Sequence, residues 1–214
     1  MKPNFLLDLD QTLISAEALE EFDLKKNKKK KKLFTSHNMD GYYIVFERPF
    51  LQEFLDYLFE NFNVSIWTAA SKEYALFILD KIILSKKNRK LDYLFFSYHC
   101  KISSHFKKGT KMLDMLWDIY KITGYNKENT FILDDYDDVY KKQPDNAIIA
   151  IPFQYYDEGS DKDDYLKGLV ELLKKLKEGK ITVKQINAII SGEEYDSVEK
   201  TVNKKSNSVI VEED

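Results

Sequence analysis

Short apolar runs alternate with longer amphipathic ones along most of this chain, and the alternation sets the expected fold. Phe5-Leu6-Leu7 reads as a brief buried strand that stops at Asp8. Ser15 to Leu24 is polar and glutamate-rich, and the turn signal Met39-Asp40-Gly41 precedes Tyr42 to Phe46, which is rich in β-formers. This region predicts a β-hairpin whose tip carries the lysine run Lys25–Lys32. Pro49 then sets up a helix with Leu51, Phe54, Leu55, Leu58 and Phe59 at helical spacing, broken by Asn61-Phe62-Asn63.

The second half repeats the alternation. Val64 to Trp67 is a strand, Glu73 to Leu84 a helix, and Leu91 to Tyr98 holds a third apolar run. Thr110 opens an amphipathic helix carrying Met112, Leu113, Leu116, Trp117 and Tyr120. Thr130 to Leu133 and Ala147 to Ile151 are further strands. Tyr165 to Lys177 carries Leu166, Leu169, Val170, Leu173 and Leu176 on one stripe, and Ile181 to Ile190 predicts one more short helix. Strands alternating with helices predict an α/β domain with a central, mostly parallel sheet. From Ser191 onward the chain is polar and acidic apart from Val209-Ile210-Val211, so part of this tail is expected to be loosely held.

Composition narrows the classes. The 214 residues favour one domain, and a hydrophobic fraction of 43% is ample for a core. A formal charge of -3, from 33 basic against 36 acidic residues, gives no overall pull toward nucleic acid or acidic membranes. The single cysteine, Cys100, excludes an internal disulfide and fits a buried apolar filler in a reducing compartment. The start shows neither a signal-peptide nor a transit-peptide pattern, and no apolar run approaches membrane-spanning length. An intracellular location, cytoplasmic or nuclear, is expected. A lysine- and asparagine-rich bias fits an AT-rich genome, a viral one among the options.

Four clusters lie just past predicted strands or at the start of helices, the edge where open parallel sheets bind ligands. In Asp8-Leu9-Asp10-Gln11-Thr12, two carboxylates one residue apart repel unless a cation lies nearby. Oxygen ligands favour magnesium, and Asp8 then attacks phosphorus while Asp10 protonates the leaving group. The alternative is a strand end with turn-forming aspartates. Thr68-Ala69-Ala70-Ser71 offers a hydroxyl and N–H groups to a phosphate, or is a plain helix cap. Lys111, at a helix start, sits against the helix dipole unless phosphate or Asp134 is close; otherwise it is a solvated surface lysine. Asp134-Asp135 offers one carboxylate to a metal and one to a lysine, or belongs to an acidic surface loop. Their order resembles that of the haloacid dehalogenase superfamily.

The motifs also carry a closer resemblance. Leu6 to Leu13 resembles the Asp-x-Asp-x-Thr signature of the RNA polymerase II carboxy-terminal-domain phosphatases, the NLI-interacting-factor-like family. Arg48-Pro49 before Glu53-Phe54-Leu55, and Ile66-Trp67-Thr68-Ala69, match that family's next features. Lys111 with Leu113 and Trp117, Asn129-Thr130, Asp134-Asp135, Pro144, Asn146 and Ile151-Pro152-Phe153 are similar to its ubiquitin-like-domain-containing branch.

The resemblance implies a haloacid-dehalogenase-like three-layer sandwich with a small β-hairpin insertion. Residues 1–180 would form the phosphatase domain and 181–214 a C-terminal extension. It implies a magnesium-dependent phosphoserine or phosphothreonine phosphatase with an aspartyl-phosphate intermediate, acting on a phosphorylated protein or peptide, the polymerase tail among them. In that picture Asp8 is nucleophile and metal ligand, and Asp10 is acid/base and lends its backbone carbonyl to the metal. Thr68, Ala69 and Lys111 hold the phosphate. Asp135 completes the metal shell, Asp134 pairs with Lys111, and Thr12 orients the loop. Asp135 stands where some small members have Asn. Two other readings stay open, a phosphate-site scaffold without useful activity and a small-molecule phosphatase of the same superfamily. The intact acid pair argues against the first, and short connections that leave the site open argue against the second.

The remaining features carry less. The lysine run is a docking element for an acidic partner, a nucleic-acid or nuclear-import signal, or a solvated loop. His37, His99 and His105 lack metal-ligand spacing, and Trp67 and Trp117 are assigned to the core.

Overall fold

The computed structural model describes residues 2–22 and 31–193. At its centre β1 (Asn4–Leu7) pairs in parallel with β5 (Asn63–Trp67) on one side and β7 (Thr130–Asp134) on the other. β6 (Leu94–Phe95) and β8 (Ala147–Ile149) flank them, giving the order β6-β5-β1-β7-β8 with all neighbours parallel. β1 is buried along its whole length, as a strand with a neighbour on each edge and helices on both faces must be. The carboxyl ends of β1, β5 and β7 therefore open on one rim, and Asp8, Thr68 and Asp135 each follow the last strand residue there.

One large apolar cluster fills one face of the sheet. It joins Phe5, Leu7, Val64 and Ile66 to α1 (Leu51–Asn61), α2 (Lys72–Ile78, carried on by a π-helical turn, Leu79–Ile83), α5 (Tyr165–Lys177) and α6 (Val183–Ser191). The opposite face packs Leu6, Trp67 and Ile132 against Cys100, Leu113, Met115 and Leu116. Trp67 is fully buried and Trp117 packs partly buried at that cluster's edge, so both belong to the core, as their apolar settings suggested.

Three features differ from the pattern reading. The insertion is a three-stranded antiparallel sheet, β2 (Ile14–Ala18), β4 (Tyr43–Glu47) and β3 (Ser36–Met39) in that order, with a third aromatic cluster of Phe22, Phe46, Phe153 and Tyr155 against it. Its tight tip is Asp40-Gly41, both at positive φ, where Gly41 bears the strain freely. Residues 23–30, with most of the lysine run, lie outside the described residues, as does the tail from residue 194.

The amphipathic helix expected from Thr110 does not start there. Lys111 is left-handed (φ 53), and only a π-helical turn, Met115–Ile119, follows. Two helices, α3 (Ser97–Lys107) and α4 (Asp137–Lys142), carried no apolar stripe in the sequence, because they bury only Cys100 and Ser103, and Val139, respectively. Among the described residues, no helix is long and apolar enough to cross a membrane.

Candidate active site

The rim collects charge in a buried place. Asp8, Lys111 and Asp134 are 5%, 3% and 2% exposed, and burying ions at such depth demands partners. Lys111 supplies them: its Nζ donates to Asp8 Oδ1 at 2.5 Å and to Asp134 Oδ2 at 2.7 Å. Burial alone would lower the lysine's pKa, but the two carboxylates outweigh it and hold the pKa raised, favouring the ammonium form. Asp134 also accepts from the Tyr136 N–H at 2.9 Å. Burial, then the Asp8 charge, still push it up to about 7 against the pull of Lys111.

A left-handed turn aims Lys111. Its carbonyl accepts from Gln143 Nε2 at 2.9 Å, while the Leu113 N–H donates to Gln143 Oε1 at 3.0 Å. Ser103 Oγ accepts from Met112 N at 2.9 Å. Gln143 thus takes the Lys111 carbonyl that a helix would pair, and Gln143 and Ser103 cap the two N–H groups that follow, so Lys111 keeps its turn and reaches inward. The sequence pattern missed this, although Gln143 lies just before the recognised Pro144.

The Asp8–Leu13 loop is equally built. Thr12 Oγ1 donates to Asp8 Oδ2 at 3.2 Å and lies 3.5 Å from Asp135 Oδ1, tying the two carboxylates together. Asp135 is pushed up to about 6, first by burial and then by Asp8. Asp8, Asp134 and Asp135 each present one oxygen within 4.8 Å of the others. Three carboxylates crowded around one lysine remain short of positive charge, and an all-oxygen set suits a hard divalent cation. The residues present fit magnesium.

Asp10 stands apart from that trio. Its Oδ1 accepts from the Tyr74 hydroxyl at 2.6 Å, and its pKa is raised to about 6, burial outweighing this bond. Its carboxylate thus faces a cavity of about 480 Å³ shared with Tyr74, Tyr43, Tyr42 and Met39. Tyr74 was legible only as part of a helix; its contact with Asp10 depends on the alignment of β1 beside β5. Thr68 is buried at the end of β5 and its Oγ1 accepts from Ala70 N at 3.1 Å, while Ala69 is exposed at the rim. Cys100 fills the space behind, its Sγ donating to the Thr68 carbonyl at 3.5 Å and its pKa raised by burial. His37 pairs with Glu47 at 2.7 Å and His99 accepts from Phe96 N, so both are engaged locally.

Comparison with known proteins converges on one family. The sequence model of the NLI interacting factor-like phosphatases matches residues 4–184. The chain is 45% identical over 175 residues to the CTD phosphatase-like protein 355R of Invertebrate iridescent virus 6, covering 79% of this chain and 96% of that protein. It is 27% identical over 176 residues to the ubiquitin-like domain-containing CTD phosphatase 1 of Danio rerio, covering 80% of this chain and 48% of the relative. Among solved structures, a substituted fission yeast RNA polymerase II CTD phosphatase Fcp1 bound to beryllium fluoride superposes with a TM-score of 0.52 at 18% identity. That match covers 96% of this chain and 62% of the neighbour. At such identity the likeness speaks to the fold, which is haloacid-dehalogenase-like.

Proposed function

The chain belongs to the NLI interacting factor-like phosphatase family, and on that premise we propose that it is a magnesium-dependent phosphatase of phosphoserine and phosphothreonine in proteins, working through a phosphorylated Asp8. The observation that carries this reading is the buried junction in which Lys111 bridges Asp8 and Asp134 while Thr12 ties Asp8 to Asp135.

In this mechanism a carboxylate oxygen of Asp8 attacks phosphorus, and the bond from phosphorus to the ester oxygen breaks. Asp10 gives its proton to the departing alkoxide, and the Asp10 carboxylate then takes a proton from the water that attacks the aspartyl phosphate. Phosphate leaves and both aspartates return to their starting states. Lys111 offsets the charge on Asp8 and on the transferring phosphoryl group, and the Thr68 turn with Ala69 receives the remaining phosphate oxygens. Asp8 and Asp135 would hold a magnesium ion, with Asp134 beside them paired to Lys111, and the ion would supply positive charge that offsets the nucleophile and the phosphate. Asp10 would contribute its main-chain carbonyl alone, leaving its carboxyl for the proton transfer.

What supports a protein substrate is the open cavity beside Asp10, with Tyr42 and Tyr43 on its wall from the insertion sheet. An extended segment flanking a phosphorylated residue fits such a surface. The test is phosphate release from p-nitrophenyl phosphate and from a phosphoserine peptide, in magnesium and in EDTA. Release that needs magnesium and disappears in Asp8→Asn is expected; turnover retained by Asp8→Asn overturns the mechanism.

A further inference from the structure

The proton donor of a phosphatase must present one carboxyl oxygen to the leaving group, yet a carboxyl rotates broadly about its last torsion and its two oxygens are equivalent. At Asp10 the equivalence is broken. Tyr74 donates its hydroxyl to Oδ1 at 2.6 Å. A donor at Oδ1 disfavours a carboxyl proton on that oxygen, so the exchangeable proton is directed to Oδ2.

Tyr74 is itself held from three sides. It is 8% exposed, and its ring meets Tyr43 edge-on with centroids 5.6 Å apart. Its N–H donates to Ser71 Oγ at 3.3 Å, which fixes the first turn of α2 directly after the Thr68 loop. The bond also changes character along the reaction: when Asp10 gives up its proton, a neutral contact becomes a charge-assisted one, and such bonds are roughly twice as strong.

We propose that Tyr74 is a positioning residue for the acid/base step, its hydroxyl pinning Oδ1 of Asp10 so that Oδ2 carries the proton toward the leaving oxygen. This rests on the reading of Asp10 as acid/base. Tyr74 also lines the substrate cavity, so the decisive experiment separates action through Asp10 from direct contact with substrate.

The measurement is kcat/KM for p-nitrophenyl phosphate and phenyl phosphate, two esters of similar size whose leaving groups differ in their need for a proton. It is made on four folded proteins checked by circular dichroism: wild type, Tyr74→Phe, Asp10→Asn and the double variant. Tyr74→Phe is expected to lower phenyl phosphate turnover about tenfold more than nitrophenyl phosphate turnover, a fraction of what general acid catalysis supplies. In the Asp10→Asn background the same change should alter the ratio less than about twofold, because the group it positions is gone. Equal losses on both esters, or an undiminished selective loss in the Asp10→Asn background, overturn the role given to Tyr74. An Asp10→Asn ratio equal to that of wild type overturns the acid/base reading itself, and the inference with it.

Discussion

The side-chain amide of Gln143 clasps the main chain around Lys111, donating to its carbonyl at 2.9 Å and accepting from the Leu113 N–H at 3.0 Å. The clasp holds a lysine at φ 53, a conformation that residues with a Cβ seldom adopt. Gln143→Ala removes both bonds and lets the segment relax toward the helix its sequence prefers. The expected cost is about 1–3 kcal/mol of stability, read from urea melts. A loss of kcat/KM of about tenfold should accompany it, since the Lys111 ammonium then loses its fixed placement. Full activity in a destabilised protein would show that the two salt bridges alone suffice to aim Lys111.

The crowded carboxylates predict a pH signature of metal removal. Asp134 and Asp135 are raised to about 7 and about 6 in the metal-free protein, chiefly by burial, above the ordinary value of 3.8. The folded state therefore binds more protons than the unfolded one between about pH 4 and 7. The stabilisation from these groups is complete below the unfolded value and is lost as pH rises through 6 to 7. Magnesium binds the ionised forms and reverses the trend. Melting temperatures in EDTA and in magnesium should accordingly converge near pH 5 and separate by several degrees at pH 7.5, where about 1 kcal/mol corresponds to roughly 2–4 °C in a domain of this size. A gap that stays constant across that range would remove this acidic cluster as the metal site.

Much of this site was readable because strand ends announce themselves. A short apolar run that stops at a carboxylate or a hydroxyl, as at Asp8, Thr68 and Asp134, marks both a buried strand and the rim it reaches. What was hidden depends on register or on side chains that replace backbone partners. Tyr74 meets Asp10 only because Leu7 lies beside Ile66 in the sheet. The helix expected from Thr110 gives way at Lys111, whose left-handed turn is held by Gln143, a side chain remote in sequence that takes the Lys111 carbonyl. The three-stranded insertion escaped notice since Ser36 to Met39 is polar and only partly buried, a strand by pairing and not by pattern.

At the opposite edge of the sheet, Asn187 acts as a substitute strand. Its Oδ1 accepts from Ile149 N and its Nδ2 donates to the Ala147 carbonyl, both at 2.9 Å, so the outer edge of β8 is sealed by one amide. The edge of a sheet is otherwise a template for aggregation. Val183 and Ile186 anchor the same helix in the main core. Asn187→Ala should cost about 2 kcal/mol, because one buried and one half-buried main-chain group lose partners. The folded fraction should keep its kcat on p-nitrophenyl phosphate, as Asn187 bonds only main-chain groups of β8 and none of the rim side chains. A loss under about 0.5 kcal/mol would mean that water replaces the amide without penalty.

Arg48 gives the most demanding prediction, because one guanidinium serves both the fold and the catalytic loop. It is 1% exposed and stacks on the Tyr165 ring with 4.4 Å to the centroid. Nε and Nη2 grip Asp163 at 2.9 and 2.8 Å, while Nη1 donates to the Thr12 carbonyl at 3.0 Å and the Ile151 carbonyl at 2.8 Å. Thr12 in turn holds Asp8, so the arginine supports the nucleophile through one intervening residue. A lysine has a single point charge and cannot span these four acceptors. Arg48→Lys should therefore lose about 3 kcal/mol of stability, near the low end for a broken buried pair, and should also reduce kcat. Asp163→Asn leaves the two carbonyl bonds in place, so it should lower stability while kcat changes less than about threefold. Measured together, the double variant should fall short of additivity by about 1 kcal/mol or more in stability, and the kcat loss should follow Arg48 alone. If Asp163→Asn lowers kcat as far as Arg48→Lys does, the ion pair and not the Thr12 carbonyl bond controls the loop, and the line from Arg48 through Thr12 to Asp8 is broken.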